Sequence, residues 1–213
     1  VDREPNANAS TLKVMVPTPT LQAGDPRGFY DQVRTALLPS GTWVYVLDRN
    51  FYSILSTRGD FGAPPVLSAD IATAKAALDS KDVAVSGLVI GTVSGQKVFN
   101  VLYPVFTGAL APVVLAISRN AGSLETALLS DKLPDGWNVA MVDKSGTIIA
   151  ASHHAGETGE PFTVADVNQL DTTLGLITLH SDKGNYRAAV RKSLLTGWTL
   201  IAWAPASVIS QPL

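Results

Sequence analysis

The sequence predicts an α+β fold of two tandem units, each an antiparallel sheet of about five strands with covering helices, behind an N-terminal helix. Three observations predict it. The 213 residues suffice for one large domain or two small ones, and 46% hydrophobic with 16% charged residues is the balance of a chain that buries a core. Glycine and proline are spread along the chain, as many short strands and turns require. The chain also repeats itself. LDRNFYSILST, Leu47 to Thr57, and VDKSGTIIAAS, Val142 to Ser152, each read as an apolar strand ending in Asp, a polar turn and a second strand.

Val1 to Ser10 is polar and reads as loose, and Thr11 to Val16 as a helical turn stopped by Pro17 and Pro19. Gly24-Asp25-Pro26 starts a helix, with Asp25 as cap and Pro26 at the first helical position. Phe29, Val33, Ala36 and Leu37 fall on its inner face, and Gly41 ends it. Trp43 to Asp48 and Tyr52 to Ser56 form a hairpin, followed by a loop from Arg58 to Pro65. Ser68 caps a helix over Ala69 to Asp79, with Ile71, Ala74 and Leu78 inward. Val83 to Gly91, Gln96 to Phe106 and Leu110 to Ser118 are strands, and Ser123 to Ser130 is a short helix.

After Pro134-Asp135-Gly136 the pattern restarts. Trp137 to Asp143 and Thr147 to Ser152 form the second hairpin, in which Gly146 supplies the positive φ of a bulged turn. Phe51 stands where Gly146 does, so Asn50 is expected to carry the left-handed residue in the first copy. A loop from His153 to Pro161, a short helix capped by Thr163 with Asp166, and strands Leu174 to Ser181, Tyr186 to Leu195 and Trp198 to Ala204 follow. Asp48 aligns with Asp143, and Thr107-Gly108 with Thr196-Gly197. The expected division is a leading segment 1–40, a larger unit 41–130, a smaller unit 131–204, and a segment 205–213 that begins a helix.

Several function classes are excluded. A net charge of −2 without a basic cluster gives no footprint for nucleic acid. With no cysteine there is no disulfide, thiolate metal site or cysteine nucleophile. The uncharged run Val98 to Ser118 approaches the length of a membrane span, but Asn100, Pro104, Gly108 and Pro112 interrupt it, and a buried hairpin is expected instead. His153, His154 and Glu157 lack a spaced third ligand and read as an exposed loop; no metal or cofactor is called for. There is no G-x-S-x-G elbow, and GTVSGQK, Gly91 to Lys97, is too short for a P-loop. Asp48 and Asp143 read as turn formers rather than a catalytic pair. Of Trp43, Trp137, Trp198 and Trp203, at least three are expected to cover sheet faces or pack between elements.

A hairpin with D-x-x-G at its turn, a helix and three antiparallel strands resemble a PAS-like unit, and two in tandem resemble the double Cache family. The resemblance spans nearly the whole chain. It rests on LQAGDPRGFYDQV (Leu21 to Val33), VSGLVIG (Val85 to Gly91) with VLYPVFTG (Val101 to Gly108), GWNVAMVDKSGTIIAAS (Gly136 to Ser152) and TGWTLIAWAPASVI (Thr196 to Ile209). It implies the periplasmic sensor region of a membrane-bound receptor, most often a histidine kinase, otherwise a chemoreceptor or diguanylate cyclase. It further implies a membrane-distal first unit, a membrane-proximal second unit, transmembrane helices beyond both ends, and a homodimer in the full-length receptor. The start at Val1 fits an excised piece.

A PAS-like unit holds its ligand between the sheet and the helix and loops covering it. In the first unit Tyr45, Ser86, Asn100 and Tyr103 are the candidates on the sheet, and Arg58 is the candidate on the covering loop. Arg58 either clamps a small carboxylate in bidentate fashion or is a solvated loop charge. Alternation puts Tyr45, Val101 and Tyr103 on defined faces without saying which is inward. The R-x-W-Y signature of amino-acid-binding members is absent from Asp82 to Leu88. Two other readings stay open: a protein-interaction or dimerisation module, and a small hydrolase using His153 or His180 as base.

Overall fold

The computed structural model describes residues 2–129, 133–168, 170, 176–181 and 184–209. They form two compact units that divide at Asn120/Ala121.

The first unit opens with α1 (Arg3–Met15), α2 (Pro19–Ala23) and α3 (Pro26–Leu37). The segment expected to be loose is therefore mostly helix. Its buried stripe is Pro5, Asn8, Ala9, Leu12 and Met15, a helical spacing hidden by a proline and an asparagine among its members. Pro5 is tolerated because it lies in the first turn, where its missing N–H has no partner to lose. The stripe packs on the sheet, and Arg119 fastens it by donating to Glu4 at 2.7 Å and to Thr42 Oγ1 at 2.6 Å. In α3 the cap is as expected, with Asp25 accepting from the Gly28 amide at 2.9 Å. Phe29 and Val33 are buried, but Tyr30 takes the inward place expected of Ala36, which is exposed.

The sheet has seven strands: β1 (Trp43–Leu47), β2 (Tyr52–Ser56), β3 (Val66–Leu67), β4 (Ala84–Val85), β5 (Val89–Ile90), β6 (Lys97–Val105) and β7 (Val113–Asn120). The order is β3-β2-β1-β7-β6-β4, with β5 also on β6. Two differences raise the count above five. Val66-Leu67 adds an edge, and the run Val83 to Gly91 breaks at Ser86-Gly87-Leu88 into two short strands. The uncharged run Val98 to Ser118 is the β6–β7 hairpin, and among the described residues no helix is long and apolar enough to cross a membrane. One helix, α4 (Ile71–Ser80), lies on the sheet face opposite α1; its cap is Asp70 rather than Ser68.

The second unit begins with α5 (Gly122–Leu128), which packs on β9 of its own sheet and so belongs here rather than at the end of the first unit. Its strands are β8 (Asn138–Val142), β9 (Ile148–Ala151), β10 (Leu176–Ser181), β11 (Gly184–Lys192) and β12 (Thr199–Pro205), ordered β10-β11-β12-β8-β9. A short α6 (Ala206–Ile209) follows. Residues 163–168 form bends and turns instead of the expected capped helix; Asp166 accepts from the Asn168 amide at 3.0 Å. Residues 130–132, 174–175 and 210–213, where helix, strand and tail were also expected, lie outside the described residues.

Laid side by side, β2-β1-β7-β6-β4 and β9-β8-β12-β11-β10 are the same order, so the sequence repeat is a repeat of topology. Both hairpins shift register at the same place, between Val46 and Leu47 and between Met141 and Val142. Both turns hang on an aspartate. Asp48 Oδ1 accepts from the Asn50 and Tyr52 amides, each at 2.9 Å, and Asp143 Oδ1 from the Ser145 and Thr147 amides at 2.9 and 3.0 Å. The left-handed residue is Gly146 (φ 84°) in one and Phe51 (φ 65°), not Asn50, in the other. Phe51 keeps a conformation that costs a side chain about 1 kcal/mol because its ring packs against the cluster under α4.

Removing the Asp143 carboxylate strands amides in a buried turn. Asp143→Ala is expected to lower unfolding free energy by about 2 kcal/mol, and Asp48→Ala, in a more open turn, by less. Asn at either site should recover part of the loss, as read by urea denaturation.

Candidate ligand-binding site

The face of the first sheet beneath α4 is best read as rows across paired strands. One row is Leu47, Val114 and Pro104; the next is Tyr45, Ala116, Leu102 and Ala84; the third is Trp43, Ser118 and Asn100. α4 presents Ala74 and Ala77, both fully buried, and these small side chains seat the helix closely on Leu47, Leu102, Val114 and Ala116. The helix begins only at Ile71, so it stops short of the third row. There the helix leaves a cleft, open to solvent, between the sheet, β3 and the loop 91–96.

The floor of the cleft is polar. Asp70, 6% exposed, caps α4 with Oδ1 on the Thr73 amide at 3.3 Å and accepts from Asn100 Nδ2 through Oδ2 at 3.2 Å. Among the described residues no Lys or Arg pairs with it. The Tyr45 side chain lies near enough for Asp70 to act on it. Burial first, and the Asp70 charge second, push the phenol well above its ordinary pKa, so it remains a neutral donor. Its hydroxyl makes no hydrogen bond to a described residue, which leaves that donor for a ligand.

Arg58 stands at the rim. Its guanidinium lies 3.9 Å over the Trp43 ring, and Nη2 donates to Gln96 Oε1 at 3.1 Å. The other N–H groups make no hydrogen bond to a described residue, and burial lowers the guanidinium pKa from its ordinary value. The loop that carries Arg58 is strapped to α3 on its other side. Tyr30 Oη donates to the Gly59 carbonyl at 2.7 Å, Arg34 donates to that carbonyl at 3.0 Å and to Tyr30 Oη, and Phe61 packs edge-on to the Tyr30 ring at 5.4 Å. Across the cleft, Thr92 Oγ1 reaches the Leu67 carbonyl of β3 at 3.5 Å, so the loop 91–96 touches both the Arg58 loop and β3.

Of the five candidates, Tyr45, Arg58 and Asn100 line this cleft, and Ser86 and Tyr103 do not. Ser86 is a brace: its Oγ accepts from the Asn100 amide at 2.8 Å and its own amide donates to the Asn100 carbonyl at 3.0 Å. Tyr103 is an odd number of residues from Asn100 and so faces the other side, where the Lys13 ammonium lies 5.6 Å over its ring. Asp70 and Trp43 are among the lining residues outside the candidate set. A signal for Asp70 was present, since Asp immediately before the first apolar helical residue is as good a cap as Ser68.

The corresponding face of the second unit is filled. Phe162 meets the Trp203 ring edge-on at 5.3 Å, and Leu179, Val167 and Val190 close around them. Trp198 and Trp203 are thus core residues. His153, His154 and Glu157 are exposed, and His180 is engaged by Asn185 at 2.7 Å.

The fold is that of the tandem PAS-like, double Cache type. Over 98% of its length the chain is similar to the extracellular domain of rpHK1S-Z16, assigned to a histidine kinase, with TM-score 0.70, 15% identity and 88% of that domain covered. It is similar over 98% of its length to the ligand-binding domain of the Pseudomonas aeruginosa PAO1 amino acid chemoreceptor PctB in complex with L-Arg, with TM-score 0.73, 12% identity and 90% of that domain covered. The sensory domain of the Campylobacter jejuni chemoreceptor Tlp3 with isoleucine bound matches 97% of the chain, with TM-score 0.66, 17% identity and 86% of that domain covered. No family model and no curated protein matches the sequence.

Two outcomes follow from this geometry. The unfolded chain releases the Tyr45 proton first as pH rises past about 10, so stability that is complete below that point falls above it. Tyr45→Phe should therefore lose less stability than the parent between about pH 9 and about pH 11 in denaturant titrations. Arg34→Ala should speed hydrogen exchange at the amides of Gly59 to Gly62 without changing exchange in β6 and β7, because it releases the strap and leaves the core pairing intact.

Proposed function

We propose that the chain is the extracytoplasmic, ligand-sensing region of a membrane-bound signalling receptor, and that it binds a small zwitterion in the cleft of the first unit. The observation that carries this is Asp70, a buried carboxylate without a cationic partner among the described residues, in a cleft whose rim holds the Arg58 guanidinium. Burying a carboxylate costs several kcal/mol unless a charge and hydrogen bonds offset it. Asn100 and the helix cap supply part of that, and a ligand ammonium supplies the rest. The Arg58 N–H groups aimed away from Gln96 suit a ligand carboxylate. One charge of each sign makes the cleft nearly neutral, which disfavours a bare anion and suits a molecule carrying both.

The likeness to the PctB and Tlp3 domains supports this, since both are described with amino acids bound. The R-x-W-Y signature is missing, so Asp70, Asn100, Tyr45 and Arg58 take its place in holding the head group. The role is binding rather than catalysis. Placement in the periplasm and a histidine kinase or chemoreceptor output belong to the same proposal.

Calorimetry of the 213-residue chain against a panel of amino acids, amines and carboxylates tests it. A zwitterion should bind, and Asp70→Asn and Arg58→Ala should each weaken it about ten- to a hundredfold, the worth of one charged hydrogen-bond set. Asp70→Asn keeps a capping oxygen and should leave the melting temperature nearly unchanged. Absence of binding across the panel, or equal binding by the Asp70 and Arg58 variants, rules out this cleft as the sensing site.

A further inference from the structure

The polar cleft does not end at Arg58. Ser53, Ser56, Val66 and Val93 line both it and a second hollow open to solvent, so the two lie side by side at these four residues. The second hollow lies between β2, Tyr30 of α3 and the strap loop, and its walls are of a different kind. Ile54, Phe61, Val66 and Val93 border it, with 39, 38, 36 and 54% of their surface exposed. Single exposed apolar residues are ordinary, but four large ones around one opening that leads from a polar floor form a concave apolar wall with nothing covering it.

We infer that the ligand is amphiphilic, with its zwitterionic head on Asp70 and Arg58 and an extended apolar tail lying in this second hollow. The inference rests on the head-group reading above and adds the substrate class to it. The four shared lining residues put the outer hollow next to the head-group cleft, which supports a tail of the same ligand rather than an independent occupant. The strap fits this role. Gly59 and Gly62 flank Phe61, and the loop is held to α3 by the Gly59 carbonyl, so Phe61 lies over the hollow on a tethered segment. Val93 faces it from the opposite loop. A tail would thus be gripped by the loop that carries Arg58 and by the loop 91–96 that walls the head-group cleft.

The test is a homologous series, α-aminobutanoate, α-aminohexanoate, α-aminooctanoate and α-aminodecanoate, titrated into the 213-residue chain below their aggregation limits. Affinity should rise by about fourfold per methylene until the tail fills the hollow and then level off. Ile54→Ser, a half-exposed substitution with little effect on folding, should reduce the gain per methylene. A series in which all members bind alike overturns the tail assignment and leaves the head-group reading standing. A series in which none binds overturns both.

Discussion

The fold depends on keeping two hairpins in register, and in both units the same pair of devices does this. At one end the aspartate holds two amides of its turn, which places the bulge one residue before it. At the other end a hydroxyl closes the ladder. Thr57 Oγ1 accepts from the Val44 amide at 2.9 Å, and Ser152 Oγ accepts from the Val139 amide at 3.1 Å. A slip of one residue would turn every side chain of β1 or β8 to the other face. In the first unit that would replace Trp43, Tyr45 and Leu47 by Val44 and Val46, and the polar row would face α1. The polar floor of the cleft is therefore a consequence of turn chemistry well away from it.

With register set, the difference between the units is one of side-chain size. Both sheets have the same strand order, yet one face is open and the other closed. In the second unit Phe162 and Trp203 fill the space over the sheet. In the first, Ala74 and Ala77 let α4 settle against half the sheet, and Asp70 stops the helix before the rest is covered. Filling the opening with an aromatic pair would gain apolar burial. What stands there instead is a carboxylate at the floor and an arginine stacked on tryptophan at the rim, which forgoes that burial.

Much of this was legible in the sequence. The repeat predicted the paired topology because the Asp-turn-strand pattern is local chemistry that survives without any tertiary information. Tyr45, Arg58 and Asn100 stood out as polar or charged groups amid apolar strands of the first copy. Three things were hidden. α1 was masked because Asn8 and Pro5 occupy buried places on its stripe. The turn was misassigned to Asn50 because propensity favours asparagine in the left-handed region, whereas tertiary packing of Phe51 decides it. Asp70 is masked by Ser68, which offers a cap too; the Ser68 hydroxyl accepts from the Asp70 amide at 3.1 Å, so both residues serve the helix start and only Asp70 bonds to the sheet, at Asn100. Alternation along β6 puts Tyr103 on the face opposite Asn100.

Arg58 also suggests how occupancy could be felt by the protein. The guanidinium now spends one N–H on Gln96, and the next residue, Gly59, is held by Tyr30 and Arg34 of α3. A ligand carboxylate taking the N–H groups turned away from Gln96 would pull on the same guanidinium. Any shift of the guanidinium is then applied to the peptide at Gly59 that α3 holds. Such a link carries information only if the ligand binds the two loop arrangements with different affinity, and coupling of about 1–3 kcal/mol is the usual size. The head-group contact and the strap are adjacent residues, so no long pathway is needed between them. The strap ties this loop to α3, which is anchored by the buried Phe29 and Val33.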